Sequence, residues 1–105
     1  MLFHLILNIV KSVNTKFKLK TLNSNVRVFG AERCHKTQFY LDLLQKKNIH
    51  FEFLDVEKDM TAANELRSLY TTGKLNFPTI MVKDKKLRNP SLTELEKWLI
   101  KKELY

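Results

Sequence analysis

From Val26 onward the chain alternates between two hydrophobic periods, and this alternation limits its fold more than any other feature. Val26-Arg27-Val28-Phe29 interleaves apolar and basic side chains and stops at Gly30, as a short strand does. After the loop Ala31-Glu32-Arg33, the pattern from Cys34 is helical. Phe39/Leu43 and Tyr40/Leu44 stand four residues apart, Lys46-Lys47 fill the last turn, and Asn48 is a stop. Residues 49–56 read as a second strand, with Ile49, Phe51 and Phe53 on one face. Asp59 or Thr61 caps a further helix whose stripe is Ala62, Leu66, Leu69 and Tyr70, ended by Thr72-Gly73-Lys74. Leu75-Asn76-Phe77-Pro78 then leads into the strand Thr79-Ile80-Met81-Val82. Asp84-Lys85 makes a polar turn, and Lys86-Leu87-Arg88 returns as a short edge strand. Ser91 and Glu94, three apart before an apolar run, form a capping-box pattern. The helix they open is expected to bury Leu92, Leu95, Trp98 and Leu99. The order β-α-β-α-β-β-α predicts an α/β domain with a four-stranded mixed sheet flanked by helices. A right-handed crossover makes the first two strands parallel, and the last two form a hairpin.

Length and composition close off several alternatives. With 105 residues the chain holds one domain at most. A single cysteine excludes an internal disulfide framework and a structural zinc site of the Cys₄ or Cys₂His₂ kind, so no metal is expected. Two glycines leave no room for a glycine-rich phosphate loop, and no apolar run is long enough to span a bilayer. The formal charge is +8, but its distribution matters more than its size. Residues 1–25 hold four lysines (Lys11, Lys16, Lys18, Lys20) and no acid, and the remaining fifteen basic and eleven acidic residues are mixed along the body. Without the fingerprint of a nucleic-acid module, that mixture reads as a solvated surface, and no nucleic-acid partner is expected.

Residues 1–25 form a basic leader separate from the domain at residues 26–105. Its lysines follow the apolar stretch and no A-x-A-like site closes it, so it does not read as a secretory signal. Its basic, acid-free, hydroxyl-containing composition suits a transit peptide, although it lacks arginine. An amphipathic piece lying on a membrane, an added strand or helix, and an extension without a role remain open. The expected location is the cytoplasm, or an organelle if the leader directs the chain there.

The chemistry is expected at the lone thiol. Cys34 stands at the first residue of the first helix, directly after a strand and loop. A helix start exposes unpaired N–H groups and carries partial positive charge, which favours thiolate over thiol. Arg33 and Lys36 add cations, so a depressed thiol pKa is expected, and the thiolate is the attacking species in disulfide exchange. The competing reading is a buried, inert cysteine, against which the polar neighbours Arg33, His35 and Lys36 argue. Pro78 opens a strand, one of the few places in a sheet that tolerates a residue without an N–H.

The element order, the cysteine after strand one and the proline before strand three together resemble the glutaredoxins of the thioredoxin superfamily. Thr72-Gly73-Lys74-Leu75-Asn76-Phe77-Pro78-Thr79-Ile80 is similar to that family's T-G-x-x-T-V-P-x-I segment. The resemblance covers residues 26–105. It implies a thioredoxin-like fold, glutathione as co-substrate, and a cis Phe77–Pro78 bond that presents the Phe77 backbone to a thiol-bearing peptide beside Cys34. Where the family has C-x-x-C, this chain reads Cys34-His35-Lys36-Thr37. No intramolecular disulfide can form, which leaves a monothiol cycle: Cys34 attacks a glutathione mixed disulfide, becomes glutathionylated, and is regenerated by a second glutathione. Thr37 can donate a hydrogen bond to the sulfur. His35 is a further cation if protonated, and otherwise a plain exposed side chain.

Two family features are replaced. The lysine that meets the glycyl carboxylate, three residues before the cysteine, is Ala31 here, with Arg33 or Lys36 as possible substitutes. The Gly-Gly and acidic pair that grip the γ-glutamyl end become Arg88-Asn89-Pro90-Ser91, where N–H groups of the helix opened by Ser91 can hold a carboxylate. The residues expected to carry the reaction are therefore Cys34, Arg33 and Thr37. Lys36, Phe77, Pro78, Asn89 and Ser91 are expected to hold glutathione. The partners are then glutathione or glutathionylated proteins, acting on a monomer. The alternative is a non-catalytic thioredoxin-fold binding module or an iron–sulfur cluster carrier. Cluster-carrying relatives read Cys-Gly-Phe-Ser, and the bulk of His35 and Lys36 would crowd a bridging cluster. Thioredoxin-like reductases of arsenate, and relatives binding the transcription machinery, also place an arginine before the cysteine. Their further arginines lie in a longer insertion that this chain is too short to contain.

Overall fold

A computed structural model describes residues 24–105, so the expectations for the leader lie almost wholly outside the described residues. Seven elements follow one another: β1 (Val26–Gly30), α1 (His35–Lys46), β2 (Glu52–Asp55), α2 (Met60–Ser68), β3 (Thr79–Val82), β4 (Lys85–Arg88) and α3 (Leu92–Lys101). The sheet order is β2-β1-β3-β4, with β1 and β2 parallel and the other two pairs antiparallel. This is the expected four-stranded mixed sheet of the thioredoxin-like fold.

The alternation in β1 sorts its side chains between two layers. Val26 and Val28 join Ile80, Val82 and Leu87 under Tyr40 and Leu44 of α1 and Leu95 and Leu99 of α3. Phe29 turns to the opposite face, against Val56 and Ala62, Ala63 and Leu66 of α2. Arg27 shares that second face, which explains a basic residue inside an apolar strand. Its guanidinium lies 5.3 Å from the Phe29 ring centroid and binds Glu52 of β2 at 3.2 Å and Glu65 of α2 at 2.5 and 2.9 Å. The partly buried charge is thus compensated from two elements, as burial of an ion demands.

Local signals set the ends of the helices. Asp59 caps α2, its carboxylate accepting from the N–H groups of Thr61 at 2.9 Å and Ala62 at 3.4 Å. Asp59→Ala is expected to cost about 1 kcal/mol, the usual contribution of an N-cap, measured as a lower urea midpoint at unchanged slope. An unchanged midpoint would remove the capping role. Asn48 ends α1 in the left-handed region at φ 58°. The N–H of Asn48 donates to the Gln45 carbonyl and that of Ile49 to the Leu44 carbonyl, both at 3.0 Å, the paired bonds of a Schellman motif. Glu103 and Leu104 repeat the arrangement at the end of α3.

Several boundaries move. The second strand starts at Glu52, because the chain at Asn48 and Ile49 is still closing the helix cap. α2 ends at Ser68, four residues before Thr72, and Leu69 and Tyr70 pack from the segment beyond it. The hairpin turn is Lys83-Asp84, since Val82 pairs with Lys85. Leu92 is 40 % exposed rather than buried, so the apolar stripe of α3 narrows to Leu95 and Leu99 with Trp98 half-buried.

Candidate active site

Four connections meet at the end of the sheet where β1 finishes and β3 begins. Phe29 pairs with Thr79, so the chain leaving Gly30 toward Cys34 and the chain arriving through Phe77–Pro78 reach the sheet side by side. The Phe77–Pro78 bond is cis. Arg88 pairs with Thr79 from the other side and leads to Asn89, whose N–H donates to the Pro78 carbonyl at 2.8 Å.

Cys34 is the N-cap of α1 rather than its first helical residue. Its backbone is extended at φ −85° and ψ 117°, while its carbonyl already accepts from the Gln38 N–H at 3.0 Å. As the half-in residue at the helix start, Cys34 has the first-turn N–H groups, which lack intrahelical partners, beside its sulfur. Cys34 itself is half-buried. Burial pushes its thiol up, but hydrogen bonds from the Thr37 hydroxyl and from the Thr37 and Lys36 N–H groups, with the charge of Arg33, outweigh burial. Together they hold the thiol below its ordinary value.

Thr37 is fully buried and holds two groups at once. Its hydroxyl oxygen accepts from the Ala31 N–H at 3.3 Å and its hydrogen is free for Cys34. Gly30 lies directly beneath it: a Cβ on Gly30 would sit 2.4 Å from Thr37 Oγ1 and 2.6 Å from its Cγ2. The glycine is there for space, so that α1 can approach β1 closely enough for Thr37 to reach the loop.

Arg33 is exposed, and its guanidinium is held by Glu57 through contacts of 2.5 to 3.0 Å. It influences the sulfur through its field only. Ala31 is fully buried, so no side chain there faces a ligand. Lys36 is exposed and reaches the thiol by its backbone alone. The Ser91 hydroxyl accepts from the Glu94 N–H at 3.1 Å as the cap of α3, half of the expected capping box.

A pocket of about 200 Å³ opens beside the cis proline, lined by Leu75, Asn76, Phe77, Pro78, Arg88 and Asn89. It gathers Phe77, Pro78 and Asn89 of the expected binding residues, whereas Cys34, Thr37, Arg33, Lys36 and Ser91 lie outside its lining. Three contacts around it were not anticipated from the sequence. The buried Thr79 hydroxyl donates to the Asn76 carbonyl at 2.5 Å and accepts from Tyr70, 2.8 Å away, bracing the turn through the proline. The phenol of Tyr40, fully covered, donates to the Pro90 carbonyl and ties α1 to the loop before α3. A threonine after proline and a tyrosine on a buried helical face were the available signals, but their partners lie far along the chain. Among the described residues no group of three or more His, Cys, Asp or Glu side chains is placed to hold a metal, and no helix is long and apolar enough to cross a membrane.

The glutaredoxin family model matches residues 26–87. No curated protein gives a significant match. Among solved structures, a mutant of the thioredoxin-like protein BC3987 superposes with a TM-score of 0.64 at 24 % identity, covering 72 % of this chain and 95 % of its own. A glutaredoxin from Archaeoglobus fulgidus gives 0.63 at 15 % identity, covering 77 % and 90 %. The holo form of glutaredoxin C1 from Populus tremula x tremuloides gives 0.58 at 17 %, covering 75 % and 86 %. At these identities the likeness is one of fold.

Proposed function

The chain belongs to the glutaredoxin family, a family of thiol oxidoreductases, and from that premise we propose that Cys34 runs a monothiol exchange with glutathione mixed disulfides. The observation that carries this reading is the environment of the sulfur. A half-buried thiol at the N-cap of α1, met by the Thr37 hydroxyl and two N–H groups, is held below its ordinary value. Such a thiol is a nucleophile near neutral pH.

In the first step the Cys34 thiolate attacks the glutathione sulfur of a mixed disulfide. A Cys34–glutathione bond forms, the original S–S bond breaks, and the released thiolate takes a proton from solvent. In the second step the thiolate of a free glutathione attacks the glutathione sulfur on Cys34. Oxidised glutathione leaves, and the Cys34 thiolate returns to the same donors. Thr37 brings no second sulfur, so the protein-bound intermediate is resolved from outside.

The test uses the fact that the chain has one cysteine. Purified protein is incubated with oxidised glutathione over a pH series and followed by intact mass. The expected result is gain of one glutathione, with a rate midpoint below the ~8.5 of a free cysteine, and release by reduced glutathione. No adduct, or one forming only at high pH, would replace this reading with a binding module on the same scaffold.

A further inference from the structure

Trp98 of α3 is surrounded by lysines. The ammonium groups of Lys85, Lys101, Lys97 and Lys102 lie 4.6, 5.1, 5.6 and 6.0 Å from its ring centroid. Lys102 is also bound by Asp84 at 2.7 Å. The other ion pairs of the described residues engage Arg27, Arg33, Lys47 and Lys58, and none takes Lys85, Lys97 or Lys101. Of the acids in α3, Glu96 is taken by Lys47 at 3.0 Å and Glu94 stands in the first turn. Residues 1–25 hold no acid, so the leader has no side-chain carboxylate to offer the cluster. Each ammonium gains from the electron-rich ring, but like charges around one ring repel, and an anionic surface relieves that repulsion.

The same side of α3 carries an apolar residue. Ile100 is 59 % exposed, three residues from Lys97 and next to Lys101, on the side of the helix away from the buried Leu95 and Leu99. The cluster also marks one end of the domain. Val26 pairs with Val82 and Val82 with Lys85, whereas Cys34 follows Gly30 at the other end of β1. The leader joins the fold at the lysine-rich end, where the Asn25 carbonyl accepts from the Lys83 N–H at 2.6 Å, in the turn before Lys85. Its first ten residues are apolar apart from His4 and Asn8. Lys20 is five residues from Asn25, within roughly 18 Å even of fully extended chain.

We propose that this end of the domain docks on an anionic lipid bilayer, with Lys85, Lys97 and Lys101 on the acidic headgroups and Trp98 and Ile100 at the interface. Lysines gather at anionic headgroups, and tryptophan favours the boundary between headgroup and hydrocarbon. A nucleic-acid strand fits less well, because ammonium groups crowd the ring on which a base would stack, and Ile100 would gain no partner. Docking at this end leaves Cys34, at the far end of β1, open to solution. The proposal does not depend on the thiol chemistry.

Trp98 is the only tryptophan of the chain, so its emission reports on the cluster directly. Full-length protein is titrated with vesicles of phosphatidylcholine alone and of phosphatidylcholine with phosphatidylserine. A blue shift and co-sedimentation are expected with phosphatidylserine only. Lys97→Gln with Lys101→Gln should weaken binding roughly tenfold or more, since each lysine near such a surface contributes about a factor of five. Arg67→Gln with Lys74→Gln removes the same charge from α2 and the segment after it, and should leave binding nearly unchanged. All four side chains are exposed, and unchanged thermal unfolding confirms that the variants fold. Equal losses in the two double variants would assign binding to net charge, and full binding in the Lys97/Lys101 variant would assign it to the leader. Either overturns the proposal, as does absence of binding to phosphatidylserine. A mixed-sequence single-stranded oligonucleotide or polyglutamate that shifts Trp98 where vesicles do not would give the cluster to a nucleic acid or an acidic protein instead. Alkylation of Cys34 should proceed at the same rate with and without vesicles, and protection would overturn the orientation.

Discussion

Thr37→Val is expected to destabilise the protein by about 1–3 kcal/mol and at the same time to move the reactivity of Cys34 to higher pH. The two side chains have nearly the same shape, so the change removes chemistry while filling the same space. The Ala31 N–H, in a fully buried residue, loses its acceptor at 3.3 Å. The sulfur loses the strongest of the groups that lower its pKa, leaving the Thr37 and Lys36 N–H groups and Arg33 against the burial that raises it. The alkylation rate of Cys34 at pH 7 should fall and its midpoint should rise. The effect on stability has a defined pH window. Because the thiol is depressed in the folded state, the thiolate stabilises the fold above the unfolded value of ~8.5, and this contribution is lost as pH falls through the folded value. The gap between wild type and Thr37→Val is therefore widest in alkaline solution and narrows in acid to the contribution of the Ala31 bond alone. Thr37→Ser, which keeps the hydroxyl, should hold the midpoint near that of the wild type. If Thr37→Val alkylates with the wild-type profile, the hydroxyl has no part in activating the thiol.

The second large effect is expected at Gly30. Gly30→Ala places a methyl 2.4 Å from Thr37 Oγ1, 2.6 Å from Cγ2 and 3.0 Å from Cβ. Thr37 is β-branched, fully buried and set in the first turn of α1, so it has no alternative rotamer into which to withdraw. The helix must instead move off the strand, at a cost of roughly 1–3 kcal/mol or more for an overpacked core. Displacing α1 also pulls the N-cap away from its loop. The urea midpoint should drop, and Cys34 should react more slowly at neutral pH. A double-mutant cycle with Thr37→Ala identifies the cause. With the hydroxyl and methyl gone, the Cβ at 3.0 Å is the remaining close contact, so the double variant should lose less than the sum of the single variants. Strict additivity would place the damage elsewhere.

The elements that patterning reveals best are those whose partners are near in sequence. The alternation of β1, the Tyr40/Leu44 pair, the Asp59 and Ser91 caps and the Asn48 stop all act within a few residues, and each appears in the structure where the local pattern puts it. Boundaries slipped where a neighbouring element competes for the same residues. Asn48 and Ile49 belong to the α1 cap rather than to β2. Leu92 fails as a core residue because periodicity gives the face of a helix but not how far along it the facing layer extends. At the candidate site the thiol and the proline were legible, since a cysteine at a helix start and a proline at a strand start are each unusual positions. The state of Arg33 was not. Its guanidinium is taken by Glu57, twenty-four residues on, and only the packing of the loop after β2 brings them together. The pairing of Thr37 with Gly30 and the bracing of the proline turn by Tyr70 and Thr79 were hidden for the same reason.

Among the described residues the order β2-β1-β3-β4 leaves two open edges with opposite character. β4 presents Lys85, Lys86 and Arg88 in four residues, and β2 presents Glu52 and Asp55. A twofold dimer built by joining two copies of β4 in antiparallel fashion would set Lys85 against Arg88, and one built on β2 would set Glu52 against Asp55. Both symmetric unions thus bring like charges face to face, which is destabilising for directly opposed cross-strand pairs. The charge-compatible join, β4 of one copy to β2 of the next, is heterologous and propagates as an open chain unless its rotation closes a ring. Short strands with charged edges limit that growth, so the same cations that crowd β4 also guard the sheet against its own copies.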